Sequence, residues 1–224
     1  MLMTVMDPHR FIRANTKLLP VPMVPHIRLH IAEESLPIWQ KTEEELGAMN
    51  IPPPYWAFAW AGGQALARYI LDNPALITGR RVLDLGSGSG LVAIAAAKAG
   101  AARILAAEID TLALAAIRLN AAANGVALDS TADDLLDAPP AVFDIVLVGD
   151  LFYERPLAER VLAFIEAARA GNALVLAGDP RRSYFPPDRF RKLAEYSVPV
   201  TRELEDAEIK RTAVWRLEVD RRGA

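Results

Sequence analysis

Short apolar segments alternate with longer amphipathic or alanine-rich segments from residue 80 onward. The apolar segments predict strands at 80–85, 103–108, 126–132, 143–148 and 172–178. The longer segments between them predict helices at 89–99, 111–123 and 155–170. This alternation is typical of a parallel sheet with helices on both faces.

The end of the chain follows a different pattern. It predicts a proline-bounded helix near 188–194 and strands at 196–204 and 209–219, joined by a short charged loop that favours antiparallel pairing. The predicted fold is therefore α/β: a doubly wound, mostly parallel, seven-stranded Rossmann-like sheet with an antiparallel last strand.

The first 50 residues lack this alternation and predict an N-terminal extension, residues 1–50, packed on a main domain of residues 51–224. We expect a short helix at 9–14, an extended connector through three prolines, an edge strand at 26–31 and a helix at 37–46.

Composition excludes several classes of function. Apolar residues make up 52% of the 224 residues, and the net charge of -3 predicts neither a nucleic-acid nor a membrane partner. The absence of cysteine excludes disulfides and thiolate metal sites, and the three histidines lack metal-ligand spacing, so no metal site is expected. Without a signal-peptide core or an 18-residue apolar run, we predict a cytoplasmic protein.

A glycine-rich turn follows the strand at 80–85. Gly86, Gly88 and Gly90 allow positive φ and close approach of a ligand, and Ser89 is expected to cap the next helix. The N–H groups at a helix N-terminus favour an anionic ligand.

The spacing of these glycines distinguishes two kinds of nucleotide loop. A dinucleotide-binding loop has its third glycine where this chain has Leu91. The spacing Gly-x-Gly-x-Gly after Asp84 instead resembles the loop of class I S-adenosylmethionine (SAM) methyltransferases. Glu108, at the tip of the next strand, can accept both hydroxyl hydrogens of a ribose. The alternative is a loop that only turns the chain.

Two further regions are candidates for the site. The aromatic segment 55–60 either plugs the sheet edge or, through Trp60, forms a pocket wall suited to a sulfonium. The glycines that follow it, at 62 and 63, predict a tight turn before a helix that ends near residue 71. Of Asp133 and Asp134, we expect one to cap a helix and one to accept the adenine amino hydrogens.

The sequence Asp150-Leu-Phe-Tyr153 resembles the signature of seven-strand protein-lysine methyltransferases. Together with residues 53–64 and 71–74, it resembles the electron-transfer flavoprotein β-subunit lysine methyltransferase family over about residues 35–220. One departure is Trp60-Ala61, where the family usually has an aromatic residue followed by proline, so we expect a less rigid loop at this point.

The resemblance implies SAM as methyl donor and a protein lysine, on the flavoprotein β subunit, as acceptor. It implies catalytic, substrate-side roles for Asp150 and Tyr153. It implies cofactor contacts from Trp60, Asp84, Gly86, Ser87, Gly88, Gly90 and Glu108, and Asp134 and Asp150 are further cofactor-binding candidates. The residues alone leave open a helix N-cap for Asp150 and core packing for Tyr153.

Three other functions remain open at this point. One is methylation of ribosomal proteins, although an acid at position 150 suits an amine better than an amide. The others are a non-catalytic SAM-binding scaffold and a nicotinamide-dependent dehydrogenase, the latter disfavoured by Leu91.

Overall fold

The computed structural model describes residues 7–32, 53–205 and 207–218, so the predicted helix at 37–46 lies outside the described residues. The strands are β1 (Lys17–Val21), β2 (Val24–Ile31), β3 (Arg81–Leu85), β4 (Arg103–Ala107), β5 (Asp129–Thr131), β6 (Ile145–Gly149), β7 (Leu174–Asp179), β8 (Phe190–Pro199) and β9 (Ile209–Leu217). The helices are α1 (Pro8–Asn15), α2 (Ala61–Asp72), α3 (Leu91–Lys98), α4 (Thr111–Ala123), α5 (Arg155–Ala170) and α6 (Arg202–Glu205).

Seven strands form one sheet in the order β5-β4-β3-β6-β7-β9-β8. The first five of these are parallel, whereas β9 lies between β7 and β8 and is antiparallel to both. The predicted doubly wound sheet with an antiparallel last strand is confirmed. Because the order reverses direction at β3, the carboxyl ends of β3 and its neighbours border a crevice, where such sheets bind ligands.

Alternate residues of each strand face opposite layers. On β6, Ile145 and Leu147 join the cluster that contains α2 and α3, while Val146 and Val148 join the cluster that contains α5. Both faces are covered, which explains the near-continuous apolar run of this strand.

The N-terminal residues differ from the prediction. The expected connector contains β1, which pairs with β2 in an antiparallel hairpin. Proline is tolerated there because this sheet has only two strands, and both are edges. The hairpin shares a hydrophobic cluster with α2 and α3, and Ile12 of α1 belongs to a cluster that includes α4.

Two predicted elements in the sheet were wrong in type or length. The region 188–194, predicted as a helix, is a short 3-10 turn followed by the start of β8. The strand was not predicted here because the bulge between Lys192 and Ala194 interrupts the alternation of polar and apolar residues that would indicate one. The strand predicted at 126–132 is confined to the three residues of β5.

The glycines at 62 and 63 do not form a turn but lie in the first turn of α2. A Cβ on Gly62 would lie 2.1 Å from the carbonyl oxygen of Gly178 in β7, whereas one on Gly63 would make only ordinary contacts, at 3.8 Å or more. Gly62 is therefore required for close approach of the helix to the strand.

Candidate active site

A cavity of about 620 Å³ opens at the carboxyl ends of the parallel strands. Of the predicted site residues, Trp60, Gly86, Gly88, Glu108, Asp134, Asp150 and Tyr153 line it. Asp84, Ser87 and Gly90 are not part of its wall. The size is in the range of small-molecule and cofactor sites, roughly 300–1,000 Å³.

The glycine loop has the predicted backbone conformation. Gly86, Gly88 and Gly90 have φ values of 62°, 52° and 81°. Ser89 does not cap α3, which corrects that expectation: Gly90 is the N-cap residue, and it has no side chain to form a cap. The side-chain hydrogen bond to the first turn of α3 comes instead from Asp84, which accepts from Ala93 N.

Asp84 lies beneath the loop. Its Oδ2 accepts hydrogen bonds from Ser87 Oγ at 2.6 Å and from Ala93 N in α3 at 3.0 Å. Burial raises the pKa of Asp84 to about 7, against the opposing effect of these two bonds. Asp84 and Ser87 thus hold the loop to the helix, rather than forming the cavity surface.

Glu108 follows β4 and faces the cavity. Its Oε2 accepts from Gly88 N at 2.9 Å and its Oε1 from Asp110 N at 3.1 Å. Burial raises the pKa of Glu108. Each carboxylate oxygen has two lone pairs, so Glu108 retains acceptor capacity toward a ligand hydroxyl.

The two acids after β5 have separable roles. Asp134 caps a 3-10 turn through Leu136 N at 3.1 Å, and its pKa is lowered by an ion pair with Arg160 at 2.8 Å. Asp133 also lines the cavity and is exposed, and it accepts from Thr131 Oγ1. The predicted cap is therefore Asp134.

Asp150, at the end of β6, is buried and has a positive φ of 58°. Its Oδ2 accepts from Gly62 N and, at 3.3 Å, from Gly63 N, so it caps the N-terminus of α2. It does not cap α5, whose N-cap residue is Glu154. Burial raises the pKa of Asp150, and the nearby Arg182 opposes that shift.

Sequence reasoning missed Arg182, which lines the cavity and joins two carboxylates. Its Nε lies 2.7 Å from Asp150 Oδ1, and its terminal nitrogens lie 2.9 and 2.6 Å from the oxygens of Glu205 in α6. Asp179 is buried behind this group; burial and the charge of Asp150 raise its pKa to about 7. The sequence signal that could have identified Arg182 is the polar run directly after the strand predicted at 172–178.

The aromatic segment serves both of the functions that were considered for it. Trp56 and Phe58 are buried in the cluster with α4, and both Trp56 and Trp60 line the cavity. Trp60 Nε1 donates to the carbonyl oxygen of Tyr55 at 2.8 Å, and the guanidinium carbon of Arg182 lies 5.7 Å from the centre of the Trp60 ring. The cavity wall here is aromatic, and these two contacts orient the Trp60 ring.

Tyr153 lies at the cavity mouth and is 37% exposed, so it is not a core residue. Its ring centre lies 5.6 Å from that of Tyr55, which is missing from the predicted site and also lines the cavity. Partial burial raises the pKa of Tyr153 to about 12, so its hydroxyl stays protonated at neutral pH. Two tyrosines thus flank the opening.

The donor set fits an adenosine-type cofactor with a positively charged centre. Left-handed glycines permit close approach, an acid stands at the tip of β4, and aromatic rings and a carboxylate lie on the β6 side. In the described ranges, no cluster of three or more potential ligands could hold a metal ion, and no helix is long and apolar enough to cross a membrane.

Comparison with known proteins gives consistent results. A family model described as ribosomal protein L11 methyltransferase (PrmA) matches residues 65–163. The electron transfer flavoprotein beta subunit lysine methyltransferase of Xenopus laevis is 36% identical over 217 residues, covering 94% of this chain and 87% of that protein. The Mus musculus protein of the same name is 37% identical and covers 86% and 77%.

Other matches are less extensive. Ribosomal protein L11 methyltransferase of Pelobacter propionicus is 33% identical but covers 57% of this chain and 46% of its own length. Magnesium protoporphyrin IX methyltransferase of Synechocystis, solved with bound SAM, shares the fold with a TM-score of 0.50, 20% identity and coverage of 70% and 80%. Because the Xenopus laevis and Mus musculus proteins are more than 30% identical to this chain over most of its length, the chain belongs to the electron transfer flavoprotein β-subunit lysine methyltransferase family.

Proposed function

We propose that the chain is a SAM-dependent protein-lysine N-methyltransferase whose substrate is the β subunit of electron-transfer flavoprotein. The observation that carries this proposal is that one cavity is lined both by Asp150 and Tyr153, which follow β6, and by the glycine loop and Glu108, which follow β3 and β4. We further propose that residues 51–224 form the methyltransferase domain and that residues 1–50 are an extension.

Gly86 and Gly88 would hold the cofactor by their backbone, with Glu108 as ribose acceptor and Asp133 or Asp134 near the adenine. Because Asp134 is already paired with Arg160, Asp133 is the freer acceptor. Asp84, Ser87 and Gly90 would act indirectly, by fixing the loop on α3. Trp60 would bound the site beside the positive centre.

SAM, when bound, supplies a methyl group for in-line transfer to an amine nitrogen. The protein must align the amine and exclude water, and no nucleophilic side chain is required. The three hydrogen bonds to Asp150 leave one of its four lone-pair positions free for an amine hydrogen. Tyr153 and Tyr55 would guide the lysine side chain through the opening, with their apolar rings along its methylene groups.

We expect Glu108→Gln to weaken SAM binding. The amide keeps the shape but loses one acceptor and presents an N–H₂ group to a backbone N–H, either that of Gly88 or that of Asp110. Loss of a charge-assisted hydrogen bond should reduce affinity by about ten- to a hundredfold. Titration calorimetry measures the effect, and unchanged affinity in the folded variant would remove Glu108 from the cofactor site.

The substrate is tested with labelled SAM and three acceptors: purified electron-transfer flavoprotein β subunit, ribosomal protein L11 and free lysine. We expect label on the flavoprotein subunit and none on free lysine, since the aromatic wall extends beyond the needs of a small amine. Label confined to L11 would support the ribosomal alternative, and SAM binding with no transfer to any acceptor would support a scaffold.

A further inference from the structure

Asn120 of α4 is fully buried, and its side-chain amide contacts two distant parts of the chain. Oδ1 accepts from the backbone N–H of His30 in β2 at 2.8 Å. Nδ2 donates to the carbonyl oxygen of Ser89 in the glycine loop, also at 2.8 Å. Since one partner is a donor and the other an acceptor, the amide has a single compatible orientation.

The glycine loop needs such support. Ser89 lies between Gly88 and Gly90, which both have positive φ and few intrinsic restraints on the backbone. The loop also rests directly on α4, because a Cβ on Gly90 would be 3.4 Å from the Cα of Ile117. A hydrogen bond from the helix to Ser89 therefore fixes the loop between these two glycines.

Asn124 provides an internal comparison one helical turn later. Its Oδ1 accepts from Arg28 N at 3.0 Å and its Nδ2 donates to Arg28 O at 2.6 Å, so it fastens the same strand β2. Its other side-chain bond goes to the carbonyl oxygen of Asn120. Within the described residues, none of these side-chain bonds reaches the glycine loop.

We propose that Asn120 is a positioning residue for the cofactor, which ties the glycine loop to the N-terminal hairpin and makes cofactor affinity depend on that hairpin. The inference rests on the proposed function, because it takes the ligand of the loop to be SAM. The side chain of Asn120 itself is buried beneath the loop and does not line the cavity.

Asn120→Asp and Asn120→Ala test the inference, with Asn124→Ala as matched control. The aspartate keeps an acceptor for His30 N but places a carboxylate oxygen against the Ser89 carbonyl, and the alanine removes both bonds. We expect Kd and KM for SAM to rise by about tenfold in both Asn120 variants, while kcat at saturating SAM is retained. Asn124→Ala should lose stability but keep wild-type SAM affinity.

Equal loss of affinity in the Asn120 and Asn124 variants would indicate general loosening of the hairpin and overturn the inference, as would unchanged affinity in Asn120 variants. Hydrogen exchange of the wild-type protein gives a test without substitution: SAM should slow exchange of the His30 amide more than that of Arg28. Equal slowing contradicts the coupling. If the wild-type protein does not bind SAM at all, the proposed function fails and this inference with it.

Discussion

Gly62→Ala is expected to abolish folding, whereas Gly63→Ala is expected to leave it intact. The added methyl group at position 62 would lie 2.1 Å from the Gly178 carbonyl oxygen and 2.5 Å from Asp150 Oδ2. The first of these is backbone in a central strand and cannot move aside without separating α2 from β7. The cost should exceed about 4 kcal/mol, because severe overpacking against backbone is among the mechanisms that produce losses this large.

Gly63 is the matched control because it occupies the next position of the same helical turn. Its added methyl group would meet only Leu91 and Val92, at 3.8 and 3.9 Å. Alanine favours a helix interior over glycine by up to about 1 kcal/mol, so stability should stay equal or increase. Soluble yield and denaturant unfolding measure both variants, and a stable Gly62→Ala protein would show that α2 does not pack against β7 as described.

Asp150→Asn is expected to reduce methyl transfer strongly and to lower stability, while SAM affinity changes little. The amide must turn its N–H₂ group toward either Arg182 or the N–H groups of α2, and each is a donor. Arg182 keeps Glu205, so the loss of stability should be about 2 to 3 kcal/mol. Transfer should fall by about ten- to a hundredfold, because the substitution weakens the hydrogen bond that holds the incoming amine in line.

Asp179→Asn is the control that separates loss of the amine hydrogen bond at Asp150 from loss of a negative charge in the same group of side chains. Asp179 is buried in the same acidic group but does not line the cavity, and its Oδ2 has no hydrogen-bond partner among the residues that the structure describes. An amide there preserves the bond from Arg182 N, so activity should persist. Steady-state rates, calorimetry and unfolding are compared for both variants. Equal rates in wild type and Asp150→Asn would leave Asp150 only its capping role.

The parts of the fold predicted well from sequence are those specified by local patterns. The bounds of α4 and α5 match their predicted ranges because local residues mark their ends: Asp110 and Asn124 flank α4, and α5 has a proline in its first turn and Gly171 after its last residue. The first part of β8 was predicted as a helix, whereas its last residues fall in the strand predicted at 196–204; its pairing with β9 and its bulge depend on contacts between separate segments of the chain. The hairpin of β1 and β2 was not predicted, because the prolines before residue 26 indicated an extended connector where β1 lies.

Residues of the candidate site were likewise predicted where the sequence signal is local and missed where the role depends on distant residues. The glycine spacing and Glu108 are visible in sequence because a loop and a strand tip are local features. Arg182 was not predicted, since its role depends on Asp150 and Glu205, which lie 32 and 23 residues away. The capping of α2 by Asp150 likewise spans 88 residues to Gly62 and has no local signal.

The most direct measurement of the central claim is peptide mass spectrometry of the flavoprotein β subunit after incubation with the protein and SAM. We predict added methyl groups on lysine side chains, absent without SAM and strongly reduced with the folded Asp150→Asn variant. Methylation at residues other than lysine, or an unmodified β subunit under conditions in which calorimetry shows SAM bound, would contradict the account.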